Sequence, residues 1–328
     1  MSVPHEKKVQ RITDHLKRYE GDAPVSLKKR GVSHEVPKLN DRRRWDNKVD
    51  ISDLNKILSI DAENRICHAE PGVTFQELVK ATMRYGLTPI IVPEFKSLTI
   101  GGAVAGCSIE SMSFQSGGFH DTCLAYEVVT ARGEVLECTP ENENSLLFQM
   151  LHGTFGTLGI ITRLSFRLIP AKKYVHVRYE KYPTLEQYKN AIWDHFTLRD
   201  IDFMDGIIHS PDEYVLSLGN FVDDAPYTNR YDWMKIYYKS THERSEDFLK
   251  LPDYYFRYDH GVTNVGRESP LWRALFGKFL GSTHKLKLAN ALHRFLPPDT
   301  IPVTVDLFIP FQKIDRFMEW YRKEINPF

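Results

Sequence analysis

A chain of 328 residues has room for about two domains, each able to bury its own core, which excludes a peptide hormone or a disulfide-held miniprotein. Its composition, 42% hydrophobic and 26% charged, is that of a folded globular protein. Lys+Arg and Asp+Glu are each 43, so no overall positive field exists to draw the chain onto nucleic acid.

Residues Glu6 to Tyr19 place Val9, Ile12, Leu16 and Tyr19 on one face, which predicts an amphipathic helix closed by Gly21. Pro24 to His34 reads as a short strand running into a basic loop, Lys28-Lys29-Arg30-Gly31-Val32-Ser33-His34, suited to face a phosphate. A strand is predicted over Ile66 to Glu70. Thr74-Phe75-Gln76-Glu77 is a capping box for a helix that continues through Leu78, Val79 and Met83 to Gly86. Beyond the breaker Pro89, Ile90-Ile91-Val92 reads as a strand. The stretch 93–122, punctuated by Gly101, Gly102, Gly106, Gly117 and Gly118, reads as a long, tightly wound loop.

Tyr126 to Thr130 and Glu134 to Cys138 flank Ala131-Arg132-Gly133 as a hairpin, and Leu164, Phe166 and Leu168 alternate with Arg163, Ser165 and Arg167 as a half-buried strand. Ile169-Pro170-Ala171-Lys172-Lys173 breaks the apolar pattern and marks a domain junction. The division is 1–170, with lobes of about 1–92 and 93–170, followed by 171–328. From Tyr227 to Phe279, 13 of 53 residues are aromatic against 12% for the whole chain, enough to line a site as well as a core.

The longest apolar runs, such as Leu87 to Val92 with Pro89 inside, fall far short of the roughly 20 residues of a membrane-spanning helix. Met1 to Arg18 has no apolar core of a secretory signal. The four cysteines, Cys67, Cys107, Cys123 and Cys138, show no C-x-x-C spacing, and no N-x-[ST] acceptor occurs. A cytoplasmic protein with reduced thiols and no metal site is expected. The basic clusters Lys28-Lys29-Arg30 and Arg42-Arg43-Arg44 suit a solvated face or a peripheral membrane contact. No feature specifies an oligomeric state.

Several catalytic patterns fail. Cys107 stands where a P-loop beginning at Gly101 needs its lysine, Glu110 replaces the closing glycine of a nucleophile elbow around Ser108, and no P-C-x-x-C follows His68-Ala69-Glu70. No G-x-G-x-x-G occurs, so an ordinary Rossmann fold has no support. What remains is Ser97-Leu98-Thr99-Ile100-Gly101-Gly102-Ala103-Val104-Ala105-Gly106-Cys107-Ser108-Ile109-Glu110-Ser111, whose small residues admit close approach of an anion to the main chain. It is accompanied by Glu70-Pro71-Gly72-Val73-Thr74, Gly117-Gly118-Phe119 and Gly153-Thr154-Phe155-Gly156-Thr157-Leu158-Gly159-Ile160-Ile161.

This ordered set resembles the FAD-binding (PCMH-type) domain of the vanillyl-alcohol oxidase superfamily over most of residues 24–170. Ser97 to Gly102, Ile109-Glu110-Ser111, Cys123-Leu124-Ala125-Tyr126-Glu127 and Ile169 to Val175 are most similar to its Δ24-sterol reductase group. The resemblance implies an α+β fold, a two-lobed flavin domain followed by a substrate cap. The family continues past Asn326-Pro327-Phe328, so the cap is expected to be incomplete. By the same resemblance Thr99 to Ser111 would hold the FAD pyrophosphate, Arg30, Gly31, Ser33 and His34 would form a second phosphate-facing loop with Gly118 nearby, and Gly156, Gly159, Ile160 and Ile161 would pass close to the cofactor. Glu35 follows His34 where covalently attaching loops carry a small polar residue, so the flavin is expected to be non-covalent.

Reduction of an alkene needs a hydride and a proton, and no side chain donates hydride. The resemblance therefore implies NADPH as donor, FAD as carrier, and a sterol-like or other apolar small molecule as acceptor. The proton would come from Tyr258 or His260 in Arg257-Tyr258-Asp259-His260, or from Glu110 or His120. Two other readings are a flavin oxidase or dehydrogenase of an alcohol, sugar lactone or hydroxy acid, and a flavin-binding fragment without catalysis.

Overall fold

The computed structural model describes residues 3–21, 25–31, 48–232, 235–259 and 307–325. Helix α1 (His5–Lys17) opens the chain and buries Val9, Ile12 and Leu16 against Val49, Leu54, Val129 and Ile160. A small parallel pair follows, β1 (Ser26–Lys28) with β2 (Lys48–Asp50). Then come β3 (Ile57–Asp61), β4 (Ile66–Ala69), α2 (Phe75–Thr82) and β5 (Leu87–Pro89). In α2 the capping box is formed: the Glu77 amide donates to Thr74 Oγ1 at 3.3 Å, and the Glu77 carboxylate accepts from the Thr74 amide at 3.0 Å.

The predicted strand over Ile90 to Val92 is displaced. Pairing is confined to β5, and Pro89, lacking an N–H, ends the ladder, leaving Ile91 and Val92 as buried irregular chain. Nor is 93–122 a plain loop. It contains α3 (Ile100–Ala105), α4 (Ser113–Ser116) and a 3₁₀ turn over Phe119–Thr122. Burial of Ile100, Ala103 and Val104, spaced for one helical face, outweighs the poor helix propensity of the glycines between them.

Next are β6 (Cys123–Val129), β7 (Val135–Cys138), α5 (Ser145–Met150) and the long β8 (Ile160–Pro170). The hairpin β6–β7 closes Val129 onto Val135. The first sheet runs β3-β4-β8-β6-β7, with β5 also on β8, and every pairing is antiparallel.

After Ala171 to Lys173 the chain enters a second antiparallel sheet of order β10-β11-β9-β12, built from β9 (Tyr174–Tyr182), β10 (Phe203–Ser210), β11 (Glu213–Val222) and β12 (Glu246–Lys250). Helix α6 (Leu185–Leu198) covers it with Tyr188 and Ala191. The short α7 (Tyr237–Ser240) and α8 (Leu251–Tyr255) flank β12, and α9 (Ile314–Glu324) ends the described chain.

The fold is α+β. Both sheets share one buried apolar cluster, extending from Phe75, Phe119 and Phe166 to Phe203, Tyr254 and Tyr255. The aromatic-rich segment accordingly supplies core rings: Tyr231, Tyr237, Tyr254, Tyr255 and Phe256 are buried. Its Trp233, Trp272, Phe276 and Phe279 lie outside the described residues.

Candidate functional site

Three segments meet around α3. A Cβ on Gly31, after β1, would lie 3.2 Å from Thr99 Cγ2. From the other side the Gly153 amide donates to Val104 O at 3.3 Å and the Phe155 amide to Ala105 O at 3.0 Å. Thr99 Oγ1 caps the helix by accepting from the Gly102 amide at 3.3 Å. The amides of Ile100 and Gly101 donate to Val73 O (3.0 Å) and Pro71 O (2.9 Å), and those of Ala103, Gly106, Cys107 and Ser108 are also engaged within the chain.

The glycine run therefore offers a bare surface rather than a row of free amides. Gly102 in α3 and Gly106, which ends that helix one turn later, are exposed. Gly156, at φ +80°, has among the described residues only Leu27 Cδ1, at 3.9 Å, near the place of a Cβ. Gly101 has a packing role instead: its Cβ would come within 2.5 Å of Pro71 Cβ.

Ile100, Ala103 and Val104 face the core, Ala105, Cys107 and Ser108 are half-buried, and Ile109 is exposed. Arg30 pairs with Glu77 at 2.7 Å on the surface. Gly118 donates its amide to Asp121 Oδ2 at 2.7 Å. Gly159, Ile160 and Ile161 stand at the start of β8, with Gly159 close against Val128 and Ile160 buried under α1. Ser33, His34 and His260 lie outside the described residues.

Two of the four proton-donor candidates come together. Immediately after α8, the buried Arg257 directs Nη2 to Glu110 Oε1 (3.1 Å) and Asp205 Oδ2 (3.0 Å), and Nη1 to Tyr254 O (2.9 Å). Tyr258 donates its hydroxyl to the same Asp205 Oδ2 at 2.7 Å. The rings of Tyr254, Tyr258 and Tyr237 surround the guanidinium carbon at 4.1, 4.8 and 5.3 Å, and Tyr254 reaches Ser111 Oγ at 3.4 Å.

Burial raises the Glu110 pKa, the Arg257 charge opposes that shift, and the neighbouring Asp205 reinforces it. One guanidinium thus serves two carboxylates in a dry site, and Glu110 retains a proton to higher pH than a solvated glutamate. Burial and Asp205 likewise hold the Tyr258 hydroxyl protonated well above the ordinary tyrosine range. Asp205 Oδ1 and Arg257 Nε are buried without a partner among the described residues.

His120 lies elsewhere. It packs against His152 with ring centres 4.8 Å apart and the rings tilted by 49°, beside a cavity of about 470 Å³ that Cys123, Phe148 and Arg167 also line. Asp259, the neighbour of Tyr258, pairs with Lys96 at 3.7 Å and accepts from its amide at 3.2 Å. Sequence reasoning did not single out Asp205 or Arg257 as site residues. Arg257 at least stands in a titratable run, whereas Asp205 carries no local signal in β10.

Residues 22–139 match the family model of the FAD binding domain. The chain is 29% identical over 293 residues to the Delta(24)-sterol reductase of Homo sapiens, a match spanning 83% of this chain and 56% of that protein. It is 25% identical over 361 aligned positions to the Delta(24)-sterol reductase of Pisum sativum, spanning 98% and 63%. To the decaprenylphosphoryl-beta-D-ribose oxidase of Mycolicibacterium smegmatis it is 35% identical over 125 residues, 38% of this chain and 27% of that one. The chain thus spans little more than half the length of the curated reductases it matches.

It carries a PCMH-type FAD-binding domain and is similar to the Delta(24)-sterol reductases over most of its length. The exposed, Cβ-free backbone of Gly102 and Gly106 and the open space at Gly156 fit such a cofactor. Among the described residues no helix is long and apolar enough to cross a membrane.

Proposed function

We propose that the chain is an FAD-dependent oxidoreductase that reduces a carbon–carbon double bond of a sterol-like or other apolar substrate, with NADPH as the electron donor. The observation that carries this reading is the cluster in which the buried Arg257 meets the half-buried Glu110, Asp205 and Tyr258, which sets proton-holding groups at the end of the glycine segment. Bound FAD would supply the hydride chemistry that side chains lack.

The chain's own part is to bind and to supply a proton. Gly31, Gly102, Gly106 and Gly156 admit the dinucleotide close to the main chain, with Thr99 holding α3 in place. Glu110 gives a proton to the alkene carbon that does not receive hydride and regains one from solvent; Tyr258 and Arg257 hold Asp205, so that the guanidinium is shared between the two carboxylates. The apolar rings of Tyr237 and Tyr254 keep water from the cluster.

Likeness to the reductases extends through the second sheet, whereas likeness to the oxidase covers 38% of the chain, which favours reduction over oxidation. Anaerobic mixing tests the proposal. The purified protein is expected to be yellow, to bleach with NADPH and to recover its colour with an apolar alkene. Bleaching by a sugar lactone or hydroxy acid instead would establish the oxidase or dehydrogenase reading, and a colour unmoved by any of them a flavin-binding fragment without catalysis.

A further inference from the structure

We propose that the N-terminal helix α1 is a positioning element of the cofactor edge: His5 and Lys8 clamp the buried carboxylate of Glu70, and through it the turn from which α3 hangs. The proposal rests on the flavoprotein reading. Helix α1 lies wholly before the segment that matches the FAD binding domain, so nothing in that match assigns it a role.

Lys8, 2% exposed, donates to both Glu70 oxygens at 2.8 and 2.7 Å and to Asp53 O at 2.7 Å. The His5 ring bridges Glu70 Oε1 and Glu127 Oε1, each at 2.9 Å. Glu70 Oε2 also accepts from the Lys56 amide at 2.8 Å. The next residues carry the load onward. Pro71 O and Val73 O accept the amides of Gly101 and Ile100, the first turn of α3, and the Pro71 ring fills the place a Gly101 side chain would need. Displacing Glu70 therefore displaces the exposed Gly102–Gly106 face. A carboxylate buried this deeply stays in place only while its cations remain.

The groups facing His5 and its partners are Lys8 from α1, Glu70 after β4, Glu127 from β6, Arg163 from β8 at 3.8 Å from Glu127, and Asp53 and Lys56 from the chain between β2 and β3. Hydrogen bonds that the His5 ring donates to Glu127 and Glu70 raise its pKa to about 9, so the clamp holds its full charge at neutral pH and loosens as pH rises through that value.

The test is FAD titration of the full-length chain, followed by flavin fluorescence, at temperatures where circular dichroism shows each variant folded. Lys8→Met and His5→Gln are expected to weaken FAD binding by about tenfold or more, with Lys8→Arg restoring most of the affinity. Arg11→Gln, which breaks the exposed contacts of α1 with the Asp53 carboxylate and the Asp50 carbonyl, should change it by less than about twofold. Wild-type affinity should fall above about pH 9 and that of His5→Gln should not. Should Lys8→Met fail to fold, His5→Gln, which leaves Lys8 on Glu70, decides the matter alone. Wild-type affinity in His5→Gln across the pH range overturns the proposal while leaving the flavoprotein reading intact, and a wild-type chain that binds no FAD overturns both.

Discussion

Two ionic clusters, each with a buried charge at its centre, flank the glycine segment, and they differ in charge count. Under α1, the cations His5 and Lys8 face the carboxylates Glu70 and Glu127, and the Arg163 beside Glu127 is itself paired with Glu137, so the set is balanced. Between the two sheets, Arg257 is the one cation that faces Glu110 and Asp205 among the described residues. In the balanced cluster both carboxylates are held below their ordinary pKa by His5 and by Lys8 or Thr162, against a burial effect that pushes them up. In the deficient one burial prevails, and Glu110 is pushed up. Charge balance therefore separates a clamp from a proton-holding site, although both use the same kinds of side chain.

The largest expected effect comes from removing Arg257, the cation that the described residues supply to the deficient set. Arg257→Met removes a buried cation from two half-buried carboxylates, and a loss of about 2–4 kcal/mol in denaturant unfolding is expected. If the loss is below about 1 kcal/mol, the site is wetter than the burial of Arg257 implies.

The balanced set should respond to pH. The His5 pKa is raised on folding from 6.5 to about 9, so its contribution is fully present below 6.5 and disappears as pH rises through 9. His5→Gln should therefore cost up to about 3 kcal/mol, reduced by whatever solvent reaches the ring, below pH 6.5 and nothing above 9. A pH-independent deficit in thermal unfolding would show that His5 acts by packing alone.

Tyr258→Phe removes a hydrogen bond to Asp205 and should cost about 1.5–3 kcal/mol, with alkene reduction slowed. Unchanged turnover would leave Tyr258 as a core residue.

Glu110→Gln should alter stability least, within about 1 kcal/mol in mild acid, because an amide resembles the protonated acid. Its signature is again pH. A raised carboxylate pKa means stability present below about 4.5 and lost as pH climbs through the folded value, and the variant should lack that slope. It should also lose the matching ionisation in the pH profile of alkene reduction. A profile identical to wild type would remove Glu110 as proton donor.

Much of the fold is legible locally. The Thr74–Glu77 capping box, the turn at Ala131 to Gly133 and the alternation Leu164, Phe166, Leu168 each depend on neighbours a few residues apart, and each forms as the sequence predicts. Helix α3 was hidden because its glycines speak against helix while three apolar residues, buried only by tertiary contacts, speak for it. The face of α1 carrying His5 and Lys8 is polar in composition and gives no hint of burial until Glu70 and Glu127 are brought beneath it.

The sequence alone determined that a glycine-lined segment lies in the first half of the chain, since a missing Cβ is a property of the residue itself, and its resemblance to a known family supplied the flavin. It also named Glu110 and Tyr258 without relating them. The tertiary structure decided their meeting, placing Arg257 on Glu110 across 147 residues and adding Asp205 from another strand. A proton-holding site is set by the sum of charges in one desolvated volume, and that sum runs over residues that no local pattern connects.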